Sequence, residues 1–320
     1  GERERSCSWG DRATSNGGRS RRPIQVVREM SATTQHPMSG VESLTPPEVA
    51  RLVQERGVAK ANASFTTTFV LGVLAGAFIA LGAMFSTVVA AGSTFGYGPT
   101  KLLAGLAFSL GLILVVVAGA ELFTGNNLIT MSWVSRRIPL ERLLRNWTIV
   151  YVGNLVGALS VVGMLWFADW WKQADAAVGG TALSIAVSKA SLPFMVVVFR
   201  GILANALVCL AVWLASAGRT VTDKVLAIVF PITAFVAAGL EHSVANMYFL
   251  PMGLTLKGQA EAVRAAGVSA AELAKLDVGS TVANIAAATL GNVVGGGVLV
   301  GLVYWFVYLR PSQRPEETLR

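Results

Sequence analysis

Long apolar blocks, separated by short polar segments, set the pattern of this chain. There are six, at about Phe65–Ala91, Leu102–Val134, Trp147–Phe167, Leu192–Ala215, Val225–Met252 and Val282–Leu309. A helix of roughly 20 apolar residues crosses the hydrocarbon core of a bilayer. The blocks contain stretches apolar on every face, which a surface helix of a soluble protein does not carry. They are too long for sandwich strands and lack the alternation of a membrane barrel. The pattern predicts an all-α membrane protein of six transmembrane helices. Ahead of the first block, Thr45–Lys60 ("TPPEVARLVQERGVAK") reads as a short amphipathic helix. Pro47 suits its first turn, and Val49, Leu52 and Val53 share one face. It would lie on the membrane surface or pack on the channel body.

The halves of the chain repeat. "GAELFTGNNL" from Gly119 aligns with "GLEHSVANMY" from Gly239, so that G-x-E-x-x-x-x-N recurs 120 residues apart. In the same order, "LGVLAGA" at Leu71 matches "RGILANA" at Arg200, and "GNLVGAL" at Gly153 matches "GNVVGGG" at Gly291. Three spans per half is an odd number, so the second half enters the membrane from the opposite side. That is an inverted-topology repeat. Both copies of G-x-E interrupt a span. Span two splits into about Leu102–Ala120 and Leu122–Val134, and span five into about Val225–Leu240 and Ser243–Met252. Paired interruptions at matching places point to a transport site, because non-helical backbone at membrane depth survives only under protein or beside a water-filled cavity.

Composition agrees and charge adds orientation. The chain of 320 residues is 53% hydrophobic and 14% charged, with mean hydropathy +0.59, against about a quarter charged in a soluble domain. The net charge of +8 does not indicate nucleic acid, because much of the excess lies in the first 30 residues. That polar, Gly/Ser-rich segment is expected to be disordered. Met30 and Met38 are both candidate natural starts. The loops after spans two and four carry Arg136, Arg137, Arg142, Arg145, Arg219 and Lys224, and the C-terminal tail adds Arg310, Arg314 and Arg320. The positive-inside rule then puts both termini in the cytoplasm. The organisation expected is a basic tail over 1–44, a cytoplasmic amphipathic helix over 45–64, a channel domain over 65–309 and a cytoplasmic tail over 310–320. Cys7 and Cys209 are not expected to pair.

The interruptions carry the candidate chemistry. Freed N–H groups and the positive end of each second half-helix would point into the protein and attract anions. Thr124 and Ser243 stand where a hydroxyl caps or lines that end. Glu121 and Glu241 would repel an anion if they faced the path. They are expected to turn away and cap the breaks by accepting bonds from backbone N–H groups. His242 is one of only two histidines, and an ionisable group inside the membrane is a functional candidate; the alternative is a neutral buried ring satisfied by backbone. Lys189 is an anion-concentrating mouth residue or an interfacial lysine that snorkels. Phe108, Leu112 and Phe235 are constriction residues or, as periodicity alone reads them, lipid-facing or core bulk. No H-E-x-x-H, P-loop or G-x-S-x-G is present, and His36 in the tail leaves no histidine cluster for a metal. No cofactor is expected.

"FSLGLILVVVAGAELFTGN" at Phe108–Asn126, "GILANALVCLAVW" at Gly201–Trp213, "EHSVANMYFLPMG" at Glu241–Gly253 and "GNVVGGGVLVGLVYW" at Gly291–Trp305 resemble the formate–nitrite transporter family. "FSLGL" and "PMG" lean toward its formate channels. The resemblance implies a homopentamer of aquaporin-like protomers in the cytoplasmic (inner) membrane, each with its own pore for formate or a related small monovalent anion. By motif position it assigns Phe108 and Leu112 to one apolar gate and Phe235 to the other. It makes His242 the central histidine and puts Thr124 in the loop at the span-two break. Lys189 and Asn205 would approach the chamber from the periplasmic side, and Asn292 would help line it. A bare carboxylate in an apolar constriction carries a large desolvation cost that the neutral acid escapes. The expectation is passage as formic acid, with a proton linked through His242. The alternative is a channel for nitrite or for small monovalent anions generally, such as hydrosulfide, acetate or lactate. An intramembrane enzyme using Glu241, His242 and Ser243 would want a second histidine or an aspartate within the spans. An aquaporin-type neutral pore would want Asn-Pro-Ala boxes. Both are missing.

Overall fold

A computed structural model describes residues 42–310. Cys7, Met30, His36, Met38 and the last ten residues, with most of both expected tails, lie outside that range. Among the described residues there is no strand. The first half runs α1 (Pro46–Asn62), α2 (Phe65–Ala90), α3 (Tyr97–Ile113), a π-helical turn (Leu114–Gly119), a 3-10 turn (Gly125–Ile129), α4 (Thr130–Val134) and α5 (Leu140–Phe167). A 3-10 turn, Trp170–Lys172, leads into the second half. That half runs α6 (Ala177–Ala190), α7 (Phe194–Ala217), α8 (Val221–Ala237), α9 (Ser243–Leu256), the short α10 (Ala260–Ala266) and α11 (Ala270–Ala274), then α12 (Val278–Asn292). Two π-helical segments, Val293–Leu302 and Trp305–Leu309, continue α12.

Among the described residues, five helices are long and apolar enough to cross a membrane on their own. The sixth span is α8 with α9, which the break divides into pieces of 17 and 14 residues. Span two is broken less evenly: α3 and its π-turn are long enough alone, whereas its second piece is a 3-10 turn followed by the five-residue α4. Span three starts at Leu140 rather than Trp147. Its first turns carry Arg142 and Arg145, whose long stems reach back toward polar surroundings but interrupt an apolar run when the sequence is read alone.

The largest departure from expectation is α6, a fourteen-residue helix where only a loop was foreseen. It is the repeat mate of α1. Lys60 and Lys189, near their ends, are 129 residues apart, as are Phe65 and Phe194, which open α2 and α7. Each half is therefore a short helix, a span, a broken span and a span. Helix α1 lies on the channel body, with Val49, Ala50 and Val53 buried in a cluster with Leu128, Met131 and Trp213. Of its two expected placements, packing on the body is the one observed. Ser132 Oγ donates to the Gln54 carbonyl at 2.7 Å, and Gln54 Nε2 bonds Ser135 Oγ.

Small residues bring the spans together, as is usual where lipid removes the hydrophobic drive between helices. A Cβ on Gly157 would collide with the Val73 carbonyl of α2, and one on Gly295 with the Ile202 carbonyl of α7. These two contacts are also equivalent in the repeat. The close approach fixes α5 against α2 and α12 against α7, which places Asn154 and Asn292 beside the two breaks.

Candidate transport site

Each break opens at a glycine in the left-handed region, Gly119 with φ +86° and Gly239 with φ +65°. An L side chain is strained there. The chain then runs extended before helical bonding resumes. At the first break the freed groups go to Asn154. Its Oδ1 accepts from the Phe123 N–H at 2.9 Å, and its Nδ2 donates to the Gly72 and Glu121 carbonyls at 2.7 and 2.9 Å. At the second, Asn292 Oδ1 accepts from the Ser243 N–H at 2.9 Å and its Nδ2 donates to the Gly201 and Glu241 carbonyls at 2.8 and 3.0 Å. One neutral amide supplies both the acceptor and the donor that a broken helix needs at membrane depth.

This corrects the expectation that Glu121 and Glu241 cap the breaks. A carboxylate only accepts, and burying its charge demands a cation. Each glutamate instead meets a lysine and an asparagine. Glu121 pairs with Lys60 at 3.2 Å and accepts from Asn126 Nδ2 at 2.6 Å. Glu241 pairs with Lys189 at 2.9 Å and accepts from Asn246 Nδ2 at 2.6 Å. The same Asn126 amide reaches Asn146 Oδ1, and Asn146 donates to the Lys60 carbonyl. Asn246 likewise reaches Asn284, which donates to the Lys189 carbonyl. Two closed rings result, one beside each break. Lys60, Asn146, Asn154 and Asn284 were missed from sequence. The repeat could have found them, because each pairs with a partner at a constant spacing: 129 residues for the lysines and 138 for the asparagines.

The Ser243 hydroxyl also departs from expectation. Ser243 is buried, but its Oγ has no partner among the described residues. The side chain that caps α9 is His242, whose Nδ1 accepts from the Ala245 N–H at 3.1 Å. With Nδ1 occupied as an acceptor, the ring carries its hydrogen on Nε2. That nitrogen faces Thr124 Oγ1 at 2.9 Å. The contact joins the two halves, since Thr124 comes from the first break and His242 from the second. Both are buried, at 0% and 2% exposed.

A vestibule opens on each side of this contact. One, of about 380 Å³, is lined by Arg56, Lys60, Lys224 and Glu121 and reaches inward to Leu112, Val115, Leu122 and Gly125. The other, of about 550 Å³, is lined by Lys101, Lys189, Arg200 and Glu241 and reaches inward to Phe108, Phe235 and His242. Phe108 and Phe235 meet edge to face with centroids 5.5 Å apart, and Phe235 lies 5.8 Å from the His242 ring. The assignment of Phe108 with Leu112 to one gate and Phe235 to the other is therefore corrected. Phe108 and Leu112 share one face of α3, and the rise of about 6 Å over one turn puts Phe108 at the second vestibule and Leu112 at the first. Asn205 and Asn292, expected on the chamber side, spend their amides on bonds within the protein: Asn205 Nδ2 donates to the Thr124 and Asn292 carbonyls at 3.2 and 2.6 Å, and to the Asn127 side chain at Oδ1, 2.7 Å. Cys209 is buried and unpaired, its Sγ 3.3 Å from the Thr124 carbonyl.

Two mirrored half-sites, each a broken span opening to a cation-lined vestibule, define a channel or transporter. The chain belongs to the formate/nitrite transporter family, which it matches over residues 47–306. It is 42% identical over 273 residues to the formate channel FocA of Escherichia coli (strain K12), covering 84% of this chain and 96% of that one. Among solved structures, it is similar to a pentameric formate channel with formate bound, with a TM-score of 0.69 and 39% identity, covering 77% of this chain and 98% of that one. It is also similar to an FNT family ion channel, with a TM-score of 0.68 and 28% identity, covering 81% and 98%.

Proposed function

We propose that this protein is a formate channel of the cytoplasmic membrane, working as a homopentamer with one pore per protomer and both termini in the cytoplasm. The carrying observation is the contact of His242 with Thr124 where the two vestibules end against apolar side chains. The formate channels and the pentameric formate-bound structure that it resembles support the substrate and the assembly. On this orientation the vestibule beside α1 is cytoplasmic and the one beside α6 periplasmic.

Cations at both mouths raise the local concentration of anions. Lys60 and Lys189 each sit one contact from a break. Phe108 with Phe235 on one side, and Leu112 on the other, exclude water, so a carboxylate at His242 loses hydration that the apolar wall does not replace. Proton transfer removes that cost. The resting ring is neutral, with its hydrogen on Nε2. When formate displaces Thr124 from Nε2, its charge favours uptake of a second proton at Nδ1 from vestibule water, which releases the Ala245 cap. The Nε2 proton then passes to the formate oxygen. Formic acid crosses the constriction, and the ring returns to rest by losing the Nδ1 proton and taking one at Nε2. Each formate thus moves with one proton.

Uptake of labelled formate into proteoliposomes, with and without a pH gradient and with excess nitrite, tests this reading. Flux that follows the gradient and resists nitrite is expected. Equal block by nitrite would turn the reading to its alternative, a channel for nitrite or for small monovalent anions in general. No flux of either would overturn the function.

A further inference from the structure

The vestibule beside α6 contains a guanidinium that the repeat does not explain. Arg200 stands on α7 where the first half has Leu71, 129 residues earlier. It lines the cavity together with Lys101 and Lys189. Its only hydrogen bond among the described residues is a long one, Nη1 to the Gly239 carbonyl at 3.4 Å. Arginine carries five N–H donors in a planar fork, so most of its donor capacity is unused. The carboxylate of this vestibule is already committed, with Glu241 Oε1 on Lys189 and Oε2 on Asn246. Lys101 has no acidic partner among the described residues; its Nζ lies 5.7 Å from the Tyr97 ring centroid. Two cations therefore face the cavity without a counter-charge, on the far side of Phe108 and Phe235 from Leu112.

We propose that Arg200 and Lys101 form a carboxylate-holding site in this vestibule, outside the aromatic constriction and separate from His242. The fork of Arg200 takes the two oxygens of a carboxylate side by side, the geometry in which arginine binds it most firmly, and Lys101 adds a point charge. A cavity of about 550 Å³ is far larger than formate. The site therefore takes a second formate waiting behind the first, or a larger monocarboxylate that binds without crossing. The proposal deepens the formate reading and rests on it for its physiological ligand.

Equilibrium binding of labelled propionate to the solubilised full-length protein tests the site without requiring transport. Propionate should bind, and the neutral isostere propionamide should not compete. Arg200→Leu, which installs the residue of the first half, should weaken propionate binding about tenfold, the scale of one charge-assisted hydrogen bond in a part-exposed site. Arg200→Lys keeps the charge but loses the fork, and should fall between. In proteoliposomes, formate uptake by Arg200→Leu should need about tenfold more formate from the α6 side for half-maximal rate, with the maximal rate retained. Propionate binding unchanged in both well-folded variants, or no propionate binding by the wild-type protein, overturns the site. Normal propionate binding with no formate flux would overturn the formate reading and leave the site standing.

Discussion

The two breaks share a scaffold and differ in chemistry. Beside each runs the same ring of lysine, glutamate and two asparagines, and across each lies the same asparagine clamp. Most other aligned positions differ, three of them by a polar side chain that only the second half carries. His242 stands where the first half has Leu122, Arg200 where it has Leu71, and Asn205 where it has Gly76. The duplicated parts satisfy backbone and buried charge, which any broken span at membrane depth must do. Of the unduplicated residues, His242 and Arg200 line the second vestibule, and Asn205 ties the Thr124 and Asn292 carbonyls together behind it. Structural demand is thus met twice in the same way, while the chemistry sits on one side of the pseudo-two-fold.

The clamps should be energetically equivalent, and their removal is the largest expected effect. Asn154→Ala strands the Phe123 N–H and the Glu121 carbonyl; Asn292→Ala strands the Ser243 N–H and the Glu241 carbonyl. At about 1–3 kcal/mol for each of the two unsatisfied buried groups, either variant should lose about 2–6 kcal/mol and unfold much earlier in a detergent melt. Strongly unequal losses would break the equivalence.

The ion pairs should be less equal. Glu241 is the more buried carboxylate, its side chain 3% exposed against 13% for Glu121. Lys189→Met should cost roughly 3 kcal/mol by leaving a buried charge unpaired, and Lys60→Met less. Adding Glu241→Gln to Lys189→Met should recover part of the stability. A thermal melt of the four proteins that ranks Lys60→Met as the more damaging would contradict the burial argument.

Smaller again is the cost of a side chain at the left-handed glycines. Gly119→Ala and Gly239→Ala have open space for a Cβ, so each should lose only the conformational term of about 1–2 kcal/mol. A larger loss at one site would reveal a steric difference between the breaks. The smallest effect lies outside the repeat. The backbone N–H of Ser269, and then its hydroxyl, hold the Glu272 carboxyl below its ordinary value at the start of α11. A folded value below the unfolded one stabilises above the unfolded pKa, and the contribution is lost as pH falls through the lowered folded value. Glu272→Gln should therefore change the melting temperature slightly at neutral pH, converge with wild type in acid, and leave formate flux unchanged.

Much of this was legible in the sequence. The six spans followed from apolar length, and the repeat from G-x-E-x-x-x-x-N with its flanking matches. The positions of both breaks were read to within a few residues. Helix α6 was not, because a fourteen-residue helix falls short of a span and its likeness to α1 rests on spacing rather than on shared residues. The role of the glutamates was misread because the sequence shows a carboxylate beside a break and conceals that the lysine facing it comes from a helix 52 or 61 residues away. The split of Phe108 from Leu112 is a matter of depth over one helical turn, since both share a face, and periodicity could not assign it without knowing where along the pore the constriction falls.

The central claim is that the proton moves with formate through His242. Asparagine at this position keeps an acceptor for the Ala245 N–H, as asparagine does at helix N-caps, and removes the titrating ring. Labelled formate uptake into proteoliposomes bearing wild type or His242→Asn, across a series of imposed pH gradients, is the most direct measurement. Wild-type flux should rise with the proton gradient, while the variant should conduct formate at a rate the gradient does not change. A variant whose uptake follows the gradient as the wild type's does would contradict the account.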